Sequence, residues 1–327
     1  MREPHFWTVT DKRSRASAPM IKLLLTPLSM IYTWAGKRRI ANATPEDVGV
    51  PVVCIGNLTL GGAGKTPVTA AARKYYLSKG LKAASLSRGY GGNMEGPLRV
   101  DPGVHAAGEV GDEPLMLAAS GEAWISKDRP LGATSMKLDG VQIIVMDDGH
   151  QNPSLRKSLS IVVVDAANPI GNGHVFPKGP LREPVAEGLA RADAVVLMGD
   201  GETPAALKNF SGVVLRARLV PLAPLPPGRY IAFAGIGRPE RFFDSLQKQE
   251  GVELAEGVPF PDHHAFTRSD IDYLMKLSKE RVARLVTTDK DHVRLSPELK
   301  DHVLRASVEA KFEDEPAFAA LLARVLQ

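Results

Sequence analysis

Lys65 and Thr66 close the string GNLTLGGAGKT (56–66), whose residue types suit the holding of a polyphosphate. Small glycines let backbone N–H groups wrap phosphate oxygens at a helix N-terminus. Lys65 would neutralise the β- and γ-phosphates, and the Thr66 hydroxyl would reach a magnesium ion. A second cluster, Asp147-Asp148, directly follows an apolar run ending at Met146. One acidic residue after a strand is common, but two beside a phosphate loop resemble a Walker-B magnesium site. Asp112, in Gly111-Asp112-Glu113-Pro114, precedes the apolar helical segment LMLAASGEAW and has the type and place of an N-cap. The Gly/Pro-rich stretch NPIGNGHVFPKGPLREP (168–184) offers Arg182 and Glu183; loops of that length are usually functional or disordered. His263 and His264 are adjacent, not spaced to share a metal on one helix face, so zinc is not expected and one of them suits a structural role.

These residues need elements to place them. Pro51–Ile55 is a short apolar run of strand type, and residues 66–80 read as a helix, with Pro67 tolerated in its first turn and Gly80 at its end. Strand, Gly-rich loop, Gly-Lys-Thr and helix is the context a P-loop requires. One position departs from the usual spacing: six residues before Lys65 stands Thr59, so Gly61 and Gly62 must supply the flexibility. A dinucleotide fingerprint fails, because Pro67 stands where its third glycine belongs. Further apolar runs at Ala83–Leu86, Val141–Met146, Ile161–Val164 and Ala194–Met198 predict a buried parallel sheet, whose ligands bind at the C-terminal strand ends. Past residue 212 come a short alternating strand and a proline-rich stretch (213–230), then runs at Tyr230–Ala234, Leu285–Thr288 and Leu304–Val308. Thr267 and Asp270 predict a capping box for a helix between the first two of those runs.

The expected fold is therefore an α/β, P-loop NTPase-like parallel sheet sandwiched by helices, with a second, smaller α/β domain. Its divisions are a basic amphipathic segment (1–40), a P-loop kinase domain (41–212), a linker (213–230) and the smaller C-terminal domain (231–327). Two domains also match a length of 327 residues at roughly 150 per domain. With 44% hydrophobic and 24% charged residues, the chain is neither a disordered tail nor a polytopic membrane protein. A lone cysteine, Cys54, excludes an internal disulfide framework and a Cys-cluster metal site, and favours a reducing compartment.

Charge is informative by location. Residues 1–40 hold eight of the 41 Lys/Arg but only Glu3 and Asp11 of the 37 acidic residues, leaving 33 basic against 35 acidic in the remainder. The bulk of the chain is thus not a nucleic-acid-coating protein. Between Lys22 and Lys37 lie fourteen uncharged residues, which as a helix would span about 21 Å, short of a hydrocarbon core of about 30 Å. Met20, Leu23, Leu24, Pro27, Leu28, Ile31 and Trp34 recur at helical spacing. That stripe suits a helix lying in an anionic membrane surface, and equally one packed on its own domain.

The strings GNLTLGGAGKTP, SRGYGG, GDEP, MDDGHQ, GNG, GPLREP, FPDHH and TTDKD, in that order from residue 56 to about 291, resemble the tetraacyldisaccharide 4′-kinase family, the lipid A 4′-kinases of Gram-negative envelopes. Thr59 in place of glycine is usual for that family. After the double aspartate the family usually carries Phe and His, where this chain has His150 and Asn152. The resemblance implies transfer of the γ-phosphate of ATP to the 4′-hydroxyl of a tetraacyldisaccharide 1-phosphate, forming lipid IVA, with Mg²⁺ as the second cofactor. It implies that Thr59, Leu60, Gly61, Gly62, Ala63, Gly64, Lys65 and Thr66 form the nucleotide loop. Asp147, Asp148 and Glu183 would form or support the metal site with Thr66. Asp112 would accept the sugar hydroxyl proton, oriented by His263, while Arg88, Gln151 and Arg182 would face substrate or phosphate groups. It also implies a peripheral or monotopic location on the cytoplasmic face of the inner membrane, contact with anionic lipid, and neither nucleic acid nor an obligate protein partner.

A soluble P-loop kinase or ligase acting on a small molecule would explain the loop and leave the N-terminal segment without a role. A GTP-driven switch would need Asn-Lys-x-Asp, and Asp289-Lys290-Asp291-His292 lacks the Asn. A membrane-bound nucleotide sensor is separated from an enzyme by turnover alone.

Overall fold

The computed structural model describes residues 4–9 and 14–327. Arg2, Glu3, Asp11, Lys12 and Arg13, which enter the N-terminal charge count, lie outside the described residues. Strands β1 (Val52–Asn57), β2 (Ala83–Ser87), β3 (Leu98–Arg99), β4 (Ala123–Ile125), β5 (Ile143–Asp147), β6 (Leu159–Asp165), β7 (Ala194–Met198) and β8 (Val213–Pro221) belong to one sheet. Strands β9 (Gly228–Ala234), β10 (Val252–Pro259), β11 (Arg284–Thr288) and β12 (Val303–Ala306) form a second sheet, and β13 (Val308–Phe312) returns to the first. The large sheet runs β13-β8-β7-β6-β1-β5-β2-β4-β3, parallel throughout except for its two edge strands. The small sheet, β10-β9-β11-β12, is wholly parallel.

Burial explains the apolar runs. Every residue of β1, β5 and β7 is buried, because helices cover both faces of a crossover-connected sheet. Side chains alternate between the faces with a period of two. Val53 and Ile55 pack with Val68, Ala72 and Tyr76 of the helix Lys65–Ser78, whereas Cys54 packs with Met146 and with Met136 of the helix Arg129–Leu138. Cys54 is a buried free thiol.

Two features differ from the sequence expectation. The short alternating strand expected at the head of the 213–230 linker is nine residues long and part of the large sheet, since Leu215 and Ala217 turn inward to the large core while Val214 is exposed. The run expected at 304–308 is split between two sheets, and the chain after it leaves the small sheet. Phe312 of β13 stacks on Phe318 of the helix Glu315–Ala323, ring centroids 3.7 Å apart, and the Tyr76 hydroxyl donates to the Leu322 carbonyl at 2.9 Å. The last residues thereby close on the large core, not on the small one.

The N-terminal helix Pro19–Ala41 runs unbroken through Pro27. Its polar side faces the protein: Ser29 is buried and donates to the Val175 carbonyl at 2.8 Å, and Lys37 pairs with Glu187 at 2.5 Å. Met20, Leu23, Leu24, Leu28, Ile31 and Trp34 all point outward, with Leu23 and Leu24 about three-quarters exposed at 73% and 75%. Packing of the apolar stripe on the helix's own domain is therefore not what this chain does. Among the described residues, no helix is long and apolar enough to cross a membrane.

Candidate active site

β1 ends at Asn57 and releases the chain into the phosphate loop. Gly61 (φ 97°) and Gly64 (φ 85°) occupy the left-handed region, and a Cβ on Gly64 would also press on the Met198 side chain at 3.1 Å. The helix Lys65–Ser78 begins with no capping side chain, so its first N–H groups and the positive end of its dipole face the loop. The 168–184 stretch braces this loop. Leu60 N–H donates to the Pro180 carbonyl at 2.8 Å, Thr59 bridges Leu181, and Arg182 Nε donates to the Thr59 carbonyl at 3.1 Å.

Next to β1 the end of β5 delivers the two aspartates, and the geometry treats them differently. Asp147 is fully buried. It accepts from Thr66 Oγ1 at 3.1 Å and Thr69 Oγ1 at 3.0 Å. Burial, then the negative charge of Glu113, push its carboxyl up to about 7 against the pull of Lys65. Asp148 turns into the left-handed region (φ 52°), which re-aims its carboxylate. There it receives both NH1 and NH2 of Arg182, at 2.9 and 3.0 Å, and lies 3.7 Å from the Lys65 ammonium. Burial works against its ionisation, but Lys65 and Arg182 outweigh it and hold the carboxyl below its usual range.

Of the remaining sequence candidates, Gln151 and Glu183 join this network at one remove. Gln151 donates to Glu183 at 2.9 Å and to the Asn57 carbonyl at 2.8 Å, and Glu183 is also paired with Arg191 at 2.6 Å. Both Glu183 oxygens are thus engaged by protein groups. Arg88 is exposed just past β2 and makes no ion pair or hydrogen bond among the described residues. His150 is buried, bonded to Ser160 Oγ at 3.0 Å and the Gly188 carbonyl at 2.9 Å, and burial pushes its pKa down to about 4. Asn152 caps a local turn by accepting from Ser154. Neither departure from the family string reaches the phosphate loop.

Asp112 does not cap its helix. Gly111 takes the N-cap position (φ 92°), Asp112 is the first residue of the helix Asp112–Ala118, and no side chain caps that end. Its carboxylate instead meets His263 Nδ1 at 3.2 Å and Arg294 NH2 in a short contact. Lys290 Nζ lies 3.1 Å from His263 Nε2 and Arg294 NH2 lies 3.2 Å from His263 Nδ1, so the imidazole sits between two cations and the Asp112 carboxylate. Burial disfavours the Asp112 carboxylate, yet the hydrogen bonds from His263 and Arg294 prevail and bring its pKa to about 2. His264, the other member of the pair, stacks on Phe260 at 4.9 Å and bonds Asp270, whose box with Thr267 caps the next helix as expected.

Arg73 fixes the two centres relative to each other. From the P-loop helix it donates to the Leu117 carbonyl and Ser120 Oγ, both at 2.7 Å, at the far end of the helix that begins with Asp112. Glu113 couples them electrostatically, since its charge acts on Asp147. Sequence reasoning did not single out Lys290, Arg294, Glu113 or Arg73. Lys290 and Glu113 carried a signal, as parts of TTDKD and GDEP; Arg73 and Arg294 act through contacts remote in sequence.

The donor set can be tested for a divalent cation. Among the described residues no three His, Cys, Asp or Glu side chains form a ready-made cage. That suits Mg²⁺, which takes one or two carboxylates and completes its shell with phosphate and water. Among the described residues, Asp147 is a buried carboxylate held only by hydroxyls, and the buried acceptor Asn57 Oδ1 and the Ser87 hydroxyl, at the ends of the flanking strands β1 and β2, have no hydrogen-bond partner. Hard oxygen donors short of positive charge fit the ion.

Comparison with known proteins gives a consistent set of likenesses. The family model for tetraacyldisaccharide-1-P 4′-kinase matches residues 21–327. A curated tetraacyldisaccharide 4′-kinase of Hyphomonas neptunium is 57% identical, over all of this chain and 98% of its own length. That of Maricaulis maris is 49% identical, over all of this chain and 97% of its own. The solved structure of LpxK from Aquifex aeolicus in complex with ATP superposes with a TM-score of 0.74 at 25% identity, covering 94% of this chain and all of that one.

Proposed function

The chain belongs to the tetraacyldisaccharide-1-P 4′-kinase family, and from that membership we infer that it transfers the γ-phosphate of ATP to the 4′-hydroxyl of a tetraacyldisaccharide 1-phosphate, a step of lipid A biosynthesis that forms lipid IVA. The observation that carries the mechanism is the pairing of a phosphate loop with a separate, ionised carboxylate. Backbone N–H groups of residues 59–66 and the Lys65 ammonium hold the β- and γ-phosphates. Thr66 and Asp147 would hold Mg²⁺, with Asp148 beside them, and the ion would supply positive charge to offset that of the phosphates. Arg182 orients Asp148 and pins the start of the loop.

Asp112 accepts the proton as the sugar oxygen bonds to the γ-phosphorus and the bond to the β-phosphate oxygen breaks, releasing ADP. With a pKa of about 2 it is ionised at neutral pH and free to accept. A loose transition state places little demand on base strength before the oxygen–phosphorus bond forms, so orientation by His263 matters more than basicity. Arg88, exposed and without an ion-pair partner, suits an anionic group of the incoming substrate.

The outward apolar face of the helix Pro19–Ala41, ending in Lys37, Arg38 and Arg39, supports a peripheral or monotopic location on the cytoplasmic face of the inner membrane. An acceptor with acyl chains in the bilayer and its sugar head in the cleft accounts for that face, which a soluble small-molecule kinase would leave idle. Incubation with γ-labelled ATP and a tetraacyldisaccharide 1-phosphate tests the reading. Label on the lipid is expected. Full activity on a water-soluble acceptor after deletion of residues 1–36, with none on the lipid, would overturn it.

A further inference from the structure

Asp112 stands on the large-sheet side of the cleft, yet both groups that bind its carboxylate come from segments attached to the small sheet. His263 follows β10, and Arg294 follows the short helix Asp289–His292 that leaves β11. The Arg294 side chain is almost wholly buried, 6% exposed, and its fork is divided. NH1 is fixed within the small-sheet unit, donating to Asp291 Oδ1 at 2.9 Å and to the Gly235 carbonyl at 3.0 Å. Asp291 is itself immobilised, fully buried and bonded to Gly235 N–H at 3.0 Å and the Thr288 hydroxyl at 2.7 Å. With one end so held, the planar guanidinium has no freedom to follow Asp112, and its NH2 presents a donor at a set place. That NH2 and His263 Nδ1 both meet the same oxygen, Oδ2 of Asp112. Oδ1 is left with no hydrogen bond among the described residues.

We propose that Arg294 is a positioning residue for the phosphoryl transfer: anchored to Asp291 and Gly235 of the small-sheet unit, it fixes Asp112 Oδ2 so that Oδ1 faces the acceptor hydroxyl. The base is then a joint product of both sheets, and its geometry depends on their docking. This rests on the reading of Asp112 as proton acceptor. A guanidinium is needed because an ammonium cannot span Asp291 and Asp112 at once in a fixed plane. The competing role, a purely structural tie between the sheets, would act on turnover without regard to what residue 112 can do.

A double-mutant cycle in the full-length protein separates them, read as label transferred from γ-labelled ATP to tetraacyldisaccharide 1-phosphate. Arg294→Met should lower kcat by about 10- to 100-fold while KM for ATP changes by less than about 3-fold, and Arg294→Lys, which keeps the charge and guards against a folding defect, should recover part of the loss. In an Asp112→Asn background, which removes the proton acceptor, either Arg294 substitution should cost less than about 2-fold more. If the Arg294 substitutions leave kcat unchanged, or cost the same factor with Asn at position 112 as with Asp, the positioning role is refuted and the base assignment stands. If Asp112→Asn alone retains wild-type kcat, the base assignment itself fails and takes this inference with it.

Discussion

Thr66 Oγ1 and Asp147 Oδ2 lie 3.1 Å apart, joining the end of the phosphate loop to the end of β5. Among the described residues Asp147 has no ion-pair partner at that place, only two hydroxyls, while its neighbour Asp148 takes Lys65 and Arg182. One carboxylate is thus neutralised by the protein and the other is left for a cation. A native carboxyl raised from 3.8 to about 7 binds a proton that the unfolded chain releases, so its contribution to stability is present below the unfolded pKa and is lost as pH rises through about 7. A bound divalent ion competes with that proton. The increase in Tm given by Mg–ATP over ATP with chelator should therefore grow between about pH 6 and 8. Asp147→Asn should remove this growth and lower turnover by about 100-fold or more. A Mg²⁺-dependent rise in Tm that is flat with pH would count against Asp147 as a ligand.

Lys65→Ala should lower turnover by about 100- to 1,000-fold. Arg182 keeps both of its hydrogen bonds to Asp148 in that variant, so the fold loses little. Tm should change by only a few degrees, and a circular dichroism melt beside the kinetic assay checks it. Retained turnover would remove the phosphate-loop assignment.

The local parts of this site are legible in the sequence and the long-range parts are not. The phosphate loop and the paired aspartates lie on contiguous strings whose spacing encodes strand, turn and helix. The partners of Asp112 are 151 and 182 residues away; His263 is reached only through the resemblance carried by FPDHH, and no local pattern announces Arg294. An N-cap reading of Asp112 is reasonable from residue type, but Gly111 at φ 92° takes that place and frees the carboxylate. Strand β13 was obscured because Ala310 and Phe312 are its only buried residues and its partner β8 lies across the whole small sheet in sequence. Periodicity revealed the apolar stripe of the N-terminal helix, but periodicity carries no information on which face meets the protein.

His150 makes a stability prediction independent of catalysis. Its folded pKa is depressed from 6.5 to about 4 by burial, so the folded protein keeps it neutral where the unfolded chain protonates it. The native state then binds fewer protons, and this contribution is present above about pH 6.5 and lost as pH falls toward 4. The size is on the order of 3 kcal/mol, from 1.36 kcal/mol per unit. His150→Phe, which puts the family's usual residue there, also leaves Ser160 Oγ and the Gly188 carbonyl unpartnered, so its Tm at neutral pH should fall. The slope of Tm with pH between 6.5 and 4 should nonetheless flatten relative to wild type. An unchanged slope would mean that His150 titrates normally in the folded protein.

The N-terminal helix presents Leu23, Leu24, Ile31 and Trp34 to the outside while Ser29 and Lys37 bind the body of the protein, the reverse of a helix packed on its own core. Such a face needs an apolar environment, and Arg38, which lies over the outward Trp34 ring, selects one bordered by negative charge. Each cation near an anionic surface adds about 1 kcal/mol, falling with salt as the Debye length shortens. Binding to vesicles should therefore rise with anionic lipid and weaken from 0.05 to 0.5 M salt, by roughly ten-fold or more. Leu24→Glu with Ile31→Glu should abolish it, because two carboxylates at the apolar centre oppose both insertion and the surface potential. Neither residue is buried in the fold, so Tm and ATP binding should stay as in wild type, and only transfer to the lipid acceptor in vesicles should fall. A doubly substituted protein that still binds anionic vesicles would place the membrane contact elsewhere on the molecule. Loss of self-association in its place, measured by light scattering without lipid, would make the face an interface between copies of the chain.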